Sequence, residues 1–439
     1  MNSPKFIINS ISCAVIIGSI GSVLAKEDIT IWYENAEPRH QQALQDTFIT
    51  PFNNSQDEYN VKIEYYGDVG VKTQMALMAS QDTFDIFMTE GPTILKRLVT
   101  SRKVEPLDEY AKKYGWTNKY QEVMMDSLKV DNTLYGLPKT FESLGVFYNK
   151  KMFKDNNWDV PTTKSELESL KVKVREAGYM PFAAGNKGWQ GNNEHYVSAI
   201  QASCLNSQQF HDVLKGKIKW SSPEVRESFD IVDDWFKESF TKDDYFSLNI
   251  DEMIAGMEQE VYPMTISGTW AFQFIKEEHR DNIGVAPLPA LCSDSTYPNY
   301  SIAIGAAFSI NANSKNKDGA AFVLDKLLSK ETFVDMASVW PGEWLVPLEE
   351  LPLDAFKENV HPAFYEHVTE VVNAMDVGNI GLATWTFFPP RSRQFIIENI
   401  EAVWLEKMTM DKFVNDLDKT FQRELKRGEV PTIPAPVGS

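Results

Sequence analysis

The chain has 439 residues, 43% of them hydrophobic and with no low-complexity tract, so it is globular and long enough for two domains with their own cores. A net charge of −19 makes a surface that repels nucleic acid and anionic lipid, which excludes both as partners. Aromatic residues reach 12%, including 11 Trp, more flat side chains than one core obviously needs.

Residues 1–25 read as a secretory signal, with Lys5 as a weak positive region, an apolar stretch over 13–24, and the small-residue end Val23, Leu24, Ala25. Ser10, Ser12, Gly18, Ser19, Gly21 and Ser22 break the apolar run too often for it to span about 30 Å of hydrocarbon. Cys13 precedes the main apolar run and has Ser10 three positions before it, not an aliphatic residue, so no lipid anchor is expected. The mature chain should begin at Lys26 and diffuse in a periplasm. It keeps Cys204 and Cys292 in a compartment where disulfides persist, and whether they pair stays open.

The β-branched, alternating run at 29–33 predicts a strand. A helix should follow, with Ala43, Leu44 and Phe48 on one side and Pro51 as its end. Residues 61–65 predict a second strand, Val71, Met75 and Met78 fall at helical spacing, and residues 84–88 predict a third strand. Such alternation argues for α/β layering with a largely parallel sheet, whose ligands sit beyond the carboxyl ends of the strands. The turns there supply Glu34, Asn35, Glu37 and Glu90 as candidate binding residues, against the plainer role of solvated turn residues or helix caps.

A second α/β region opens near 145–149. Its clearest helix starts at a capping box formed by Thr163 and Glu166, buries Leu167, Leu170 and Val174, and stops at Gly178. Val323, Leu324, Leu327 and Leu328 mark a later helix, and Val414, Leu417, Phe421 and Leu425 a last one. The tail holding Pro431, Pro434 and Pro436 should be extended. No flexible linker interrupts the chain, so short ordered hinges should join any two lobes.

No phosphate loop, dinucleotide fingerprint, nucleophile elbow or zinc-protease helix is present, and the six His residues lack metal-ligand spacing. No cofactor or metal is expected. Asp155, Asn157, Asp159 and Glu166 fall at positions 1, 3, 5 and 12 of a calcium loop, but Val160 replaces its glycine and Pro161 follows.

Three stretches together resemble the family 1 extracellular solute-binding proteins of ABC importers. The first runs from Leu134, Tyr135, Gly136, Leu137 and Pro138 to residues 144–153, followed by Trp158 and Pro161. The second contains Gly256 and Met257, residues 264–271 with Gly268 and Trp270, and residues 283–289. The third contains residues 301–305, Ile310, Asn311 and Ala312, and the helix through Lys326. Where the family usually has Gly and then Pro before Asp85, Ser80, Gln81, Asp82 and Thr83 stand here.

The resemblance implies a periplasmic-binding-protein type II-like fold, two α/β lobes with a ligand cleft between them. Residues 26–141 with 302–337 would form the first lobe, and residues 142–301 with 338–439 the second. It implies hinge closure over a carbohydrate, delivery to permease subunits in the inner membrane, and a monomer without catalysis. Trp270 and Trp385 match cleft aromatics of the family, and Glu142 a hinge carboxylate. Trp189 sits in a glycine-rich loop and Trp344 beside Pro341 and Gly342, so both join the candidates. Arg391 does too, with Arg39 and Arg393 beside it as groups that would admit a uronate if one entered the cleft. A secreted glycosidase or lyase, and a binder of a non-sugar solute, stay open as other readings.

Overall fold

The computed structural model describes residues 25–67, 69–89, 91–238, 245–293 and 295–436; residues 1–24 of the expected signal segment and Glu90 lie outside the described residues. Three parallel strands open the chain: β1 (Glu27–Glu34), β2 (Tyr59–Tyr66) and β3 (Ile86–Thr89). A two-stranded hairpin, β4 (Lys129–Val130) and β5 (Thr133–Leu134), precedes the long β6 (Leu137–Asn149). Then follow β7 (Phe182–Ala183), β8 (Met264–Gly268), β9 (Ile283–Ala286), the long β10 (Tyr300–Ile310) and β11 (Ile380–Leu382).

Nine of these strands form one sheet in the order β2–β1–β3–β10–β6–β8–β7, with β11 on β10 and β9 on β6. The antiparallel pair β6 and β10 runs through both halves of the molecule. At one end β10 pairs with β3 through Ala307 to Ile310. Toward the other, β6 pairs with β8 and β9 while β10 pairs with β11. Both strands are buried along nearly their whole length, and the breaks in that burial are Glu142 and Tyr148 in β6 and Gly305 in β10. The register between them slips around Ile304, Ala306 and Ala307. A β-bulge of this kind bends a strand and re-aims its side chains.

The helix expected to stop at Pro51 does not stop there. Pro38–Leu44 is followed by a π-turn at Gln45–Ile49 and then by the helix Thr50–Ser55. The wider turn shifts the bonding by one residue, and Pro51 falls at the start of the next segment, where its missing N–H is not required. The helix Val69–Met78 buries Val69, Thr73, Ala76 and Leu77, so the spacing of Val71, Met75 and Met78 marks its exposed face.

The capping box at Thr163 is present, with the Glu166 amide donating to Thr163 Oγ1 at 3.3 Å and Glu166 Oε2 accepting from the Thr163 amide at 3.1 Å. Its helix, Lys164–Glu176, buries Leu167, Leu170 and Val174. Of the residues at calcium-loop spacing, Glu166 closes the capping box, Asn157 caps the preceding helix and Asp155 pairs with Lys151 at 2.9 Å. Trp158 packs edge-on against Phe153 and Tyr179. Cys204 and Cys292 form a disulfide that closes 88 residues of chain. No helix among the described residues is long and apolar enough to cross a membrane.

Candidate functional site

Where β1 ends and the long strands cross between the lobes, a cavity of about 340 Å³ opens. Glu34 reaches it from the carboxyl end of β1, Glu142 from β6, Gly305 and Ala306 from the bulge of β10, and Glu343 from a third passage of chain. Trp189, Glu194, His195, Trp270, Gln273, Phe274, Trp385 and Arg393 supply the opposite side. A larger depression of about 460 Å³ around Lys119, Lys330 and Glu349 holds no tryptophan and is lined mostly by charged chain ends.

The aromatic wall is organised around His195, in the helix Asn192–Ala202. Its ring centre lies 4.8 Å from Trp189, 4.7 Å from Trp270 and 4.9 Å from Trp385. Trp270 and Trp385 meet edge to face at 6.0 Å. Gly268 makes this possible, since a Cβ there would stand 2.1 Å from the Trp270 ring. Asn192 donates its amide to the Gly185 carbonyl and so accepts from His195 Nδ1 at 2.8 Å, which leaves Nε2 as an acceptor. Burial, and then Arg393, push His195 down to about 3, so the imidazole is neutral.

Two charged clusters flank the aromatics. Glu194 is fully buried and accepts from Arg393 Nε at 3.0 Å and Nη2 at 2.8 Å, with Thr384 Oγ1 donating a further bond. The guanidinium that enters the cleft is therefore neutralised within the protein. On the other side Lys139 is completely buried, its Nζ 3.5 Å from Glu343 and 4.0 Å from Glu34. The rings of Tyr33, Trp340 and Trp344 surround that ammonium at 5.1–5.5 Å. An ammonium caged this way is stabilised by the ring quadrupoles as well as by the carboxylates.

Glu142 sits between the clusters. Trp385 Nε1 donates to its Oε2 at 2.9 Å, and Gly305 leaves room for the carboxyl where a Cβ would stand 2.0 Å from Oε1. Burial, then the charge of Glu343, push it up to about 8, against the lowering pull of the Trp385 N–H and Lys139. The folded protein thus keeps a proton that the unfolded chain loses near pH 4.5, so stability falls as pH rises from about 4.5 to about 8. Each pH unit of that window is worth up to about 1.4 kcal/mol. Glu142→Gln is expected to flatten that part of the stability curve and to exceed the wild type at pH 8. Urea denaturation across the window measures it, and an unchanged slope would show that another group carries the dependence.

Of the residues singled out from sequence, Glu34, Glu142, Trp189, Trp270 and Trp385 come together in this cavity. Asn35 is exposed outside its lining, and Glu37 pairs with Arg39 on the surface at 2.9 Å. Trp344 does not line the cleft; it is fully buried, and its ring serves the cage around Lys139. Arg391 points to solvent at the start of the helix Pro390–Trp404 while its backbone N–H donates to Glu424. Glu194, His195, Gln273, Phe274 and Glu343 are lining residues that sequence reasoning missed. Arg393, weighed with Arg391, is the arginine that reaches the cleft.

The combination offers flat apolar faces beside carboxylate acceptors in one cavity. The family model described as bacterial extracellular solute-binding protein matches residues 37–332. The multiple sugar-binding protein of Streptococcus mutans is 25% identical over 317 residues, covering 68% of this chain and 71% of that one. Among solved structures, a chitin oligosaccharide binding protein superposes with TM-score 0.75 at 17% identity, covering 91% of this chain and 100% of the other. Maltose-bound T. maritima MalE3 does so with TM-score 0.71 at 14% identity, covering 90% and 99%. At these identities the structural likeness establishes the fold.

Proposed function

The chain belongs to the bacterial extracellular solute-binding protein family, and from that premise we propose that it is the carbohydrate-binding component of an ABC importer. The observation that carries the sugar assignment is the meeting of Trp189, Trp270 and Trp385 with Glu34 and Glu142 in one cavity. Pyranose rings present C–H faces that suit indoles, and hydroxyls that suit carboxylates and amides. Sugar-binding and maltose-bound relatives point the same way.

Ligand would favour a closed state by touching both walls at once, with β6, β10 and the passage at 338–346 as hinges. On this reading residues 26–141 with 302–337 move against residues 142–301 with 338–439. The protein would be a periplasmic monomer, cleaved after residue 25, whose closed form is read by inner-membrane permease subunits. It would catalyse nothing, in keeping with the solute-binding role of its family. The Glu194–Arg393 pairing argues against a uronate.

A thermal-shift screen of saccharides identifies the ligand, since a compound at 100 times its dissociation constant adds about 2.7 kcal/mol of stability. Calorimetric titration of that ligand should then show Trp270→Ala and Trp385→Ala weakened by about 1–3 kcal/mol each. Trp158→Ala, which alters packing remote from the cavity, should lower the melting temperature and keep the affinity. Scattering should report compaction on binding. Normal binding by both cleft variants, or binding without compaction, would overturn the closure mechanism.

A further inference from the structure

The lining of the cleft is unbalanced in charge. Among the described residues, Glu34, Glu142, Glu194 and Glu343 face the cavity with one lining cation, Arg393, and Lys139 stands behind the wall. Arg393 is matched by Glu194 in two-point geometry, and the single ammonium of Lys139 lies between Glu34 and Glu343. Glu142 is then a third carboxyl in the same confined region, and His195 is neutral.

Resting on the carbohydrate reading above, we propose that this cleft selects an amino sugar, alone or within an oligosaccharide, whose ring lies on the indoles and whose ammonium is received by Glu142 and Glu34. Three observations converge on it. An ammonium between those two carboxyls supplies the positive charge that the lining lacks. Without such a cation Glu142 keeps its proton, because desolvation and the charges of Glu343 and Glu34 oppose ionisation more than Lys139 and the Trp385 N–H favour it. A ligand cation replaces that proton, and a neutral hydroxyl does not.

The second observation is the aromatic wall itself, since an ammonium beside Trp270 and Trp385 gains attraction from the ring faces that a hydroxyl lacks. The third is Trp270 Nε1, a buried donor on a lining residue with no acceptor among the described residues. It is closed to solvent in this state, and a sugar oxygen drawn against Trp270 on closure would give it an acceptor, which a ligand carrying hydroxyls as well as a cation supplies. That combination separates an amino sugar from a simple organic amine.

The test uses the full mature chain and matched ligands differing by an amine in place of a hydroxyl: glucosamine with glucose, galactosamine with galactose, and chitosan with cellulose oligomers. Galacturonate oligomers and spermidine complete the set. Titration near pH 6 at low salt should show the amino member of a pair at least tenfold tighter than its neutral counterpart, with that preference shrinking as salt is added. Glu142→Gln and Glu34→Gln should each reduce the preference to below threefold. Glu34, partly exposed at a strand end, gives a variant that does not depend on refilling a buried site.

Equal or tighter binding of the neutral member, or of galacturonate, would overturn the charge assignment and leave the carbohydrate reading standing. Binding of spermidine with no saccharide bound would overturn both. A preference that survives in both variants would also reject Glu142 and Glu34 as the receiving groups.

Discussion

Arg393→Ala should lower folding stability by about 3–5 kcal/mol, the cost expected when one partner of a buried ion pair is removed. The Glu194 side chain has no solvent exposure, and three of its hydrogen bonds come from the guanidinium. After the substitution Thr384 Oγ1 remains as a donor, too little to hold a charge in that setting. The stranded carboxylate would be a buried charge without its counter-ion, which is the source of the expected loss. Denaturant titration at neutral pH measures this, and a deficit below about 1 kcal/mol would show that the pair is dispensable. Replacing both partners, as Glu194→Gln with Arg393→Met, should recover much of the loss, because no charge is left buried.

Loss of the Cys204–Cys292 bond has an effect of similar size from a different cause. A link closing 88 residues removes chain entropy from the unfolded state, about 4–5 kcal/mol by the loop-closure relation and about 2–5 kcal/mol in typical measurements. The linked segments are also tied by Leu291 N–H to the Ser203 carbonyl and by Ser295 Oγ to the same oxygen, so the local structure should survive reduction. Cys204→Ala with Cys292→Ala should accordingly keep its ligand affinity and lose midpoint stability in urea. Thiol counting on the denatured, unreduced protein should find no reactive pair. Two free thiols would remove the basis of this expectation.

The turn after β1 is legible in the sequence because a parallel sheet puts its ligand edge at the carboxyl ends of strands, and Glu34 is the last residue of that strand. Trp270 and Glu142 are legible through the motifs around them. Glu194 and His195 are not, and the reason is the burial of all eleven residues of their helix. A helix with no exposed face shows no polar and apolar contrast from which an inward position could be read. The pairing of Glu194 with Arg393 spans 199 residues and leaves no local trace. Trp344 misleads for a related reason: a tryptophan beside a glycine-bearing passage suits a cleft, but the need it meets is set by Lys139, more than 200 residues earlier. Pro51 fails as a stop because it falls in the first turn of the next helical segment, where its missing N–H is not required.

The crossing of β6 and β10 also sets the order in which the protein can be assembled. β3 is buried at all four of its positions, and it hydrogen-bonds to β1 on one side and to Ala307 through Ile310 on the other. During synthesis and export, that second partner arrives more than 200 residues after β3 itself. Until then Ile86–Thr89 is an open, apolar edge of the kind that recruits other chains. Fragments ending before Tyr300 should thus aggregate through this edge, whereas those extending past Ile310 should stay dispersed longer. Such a chain is most open to aggregation until its last third has been made.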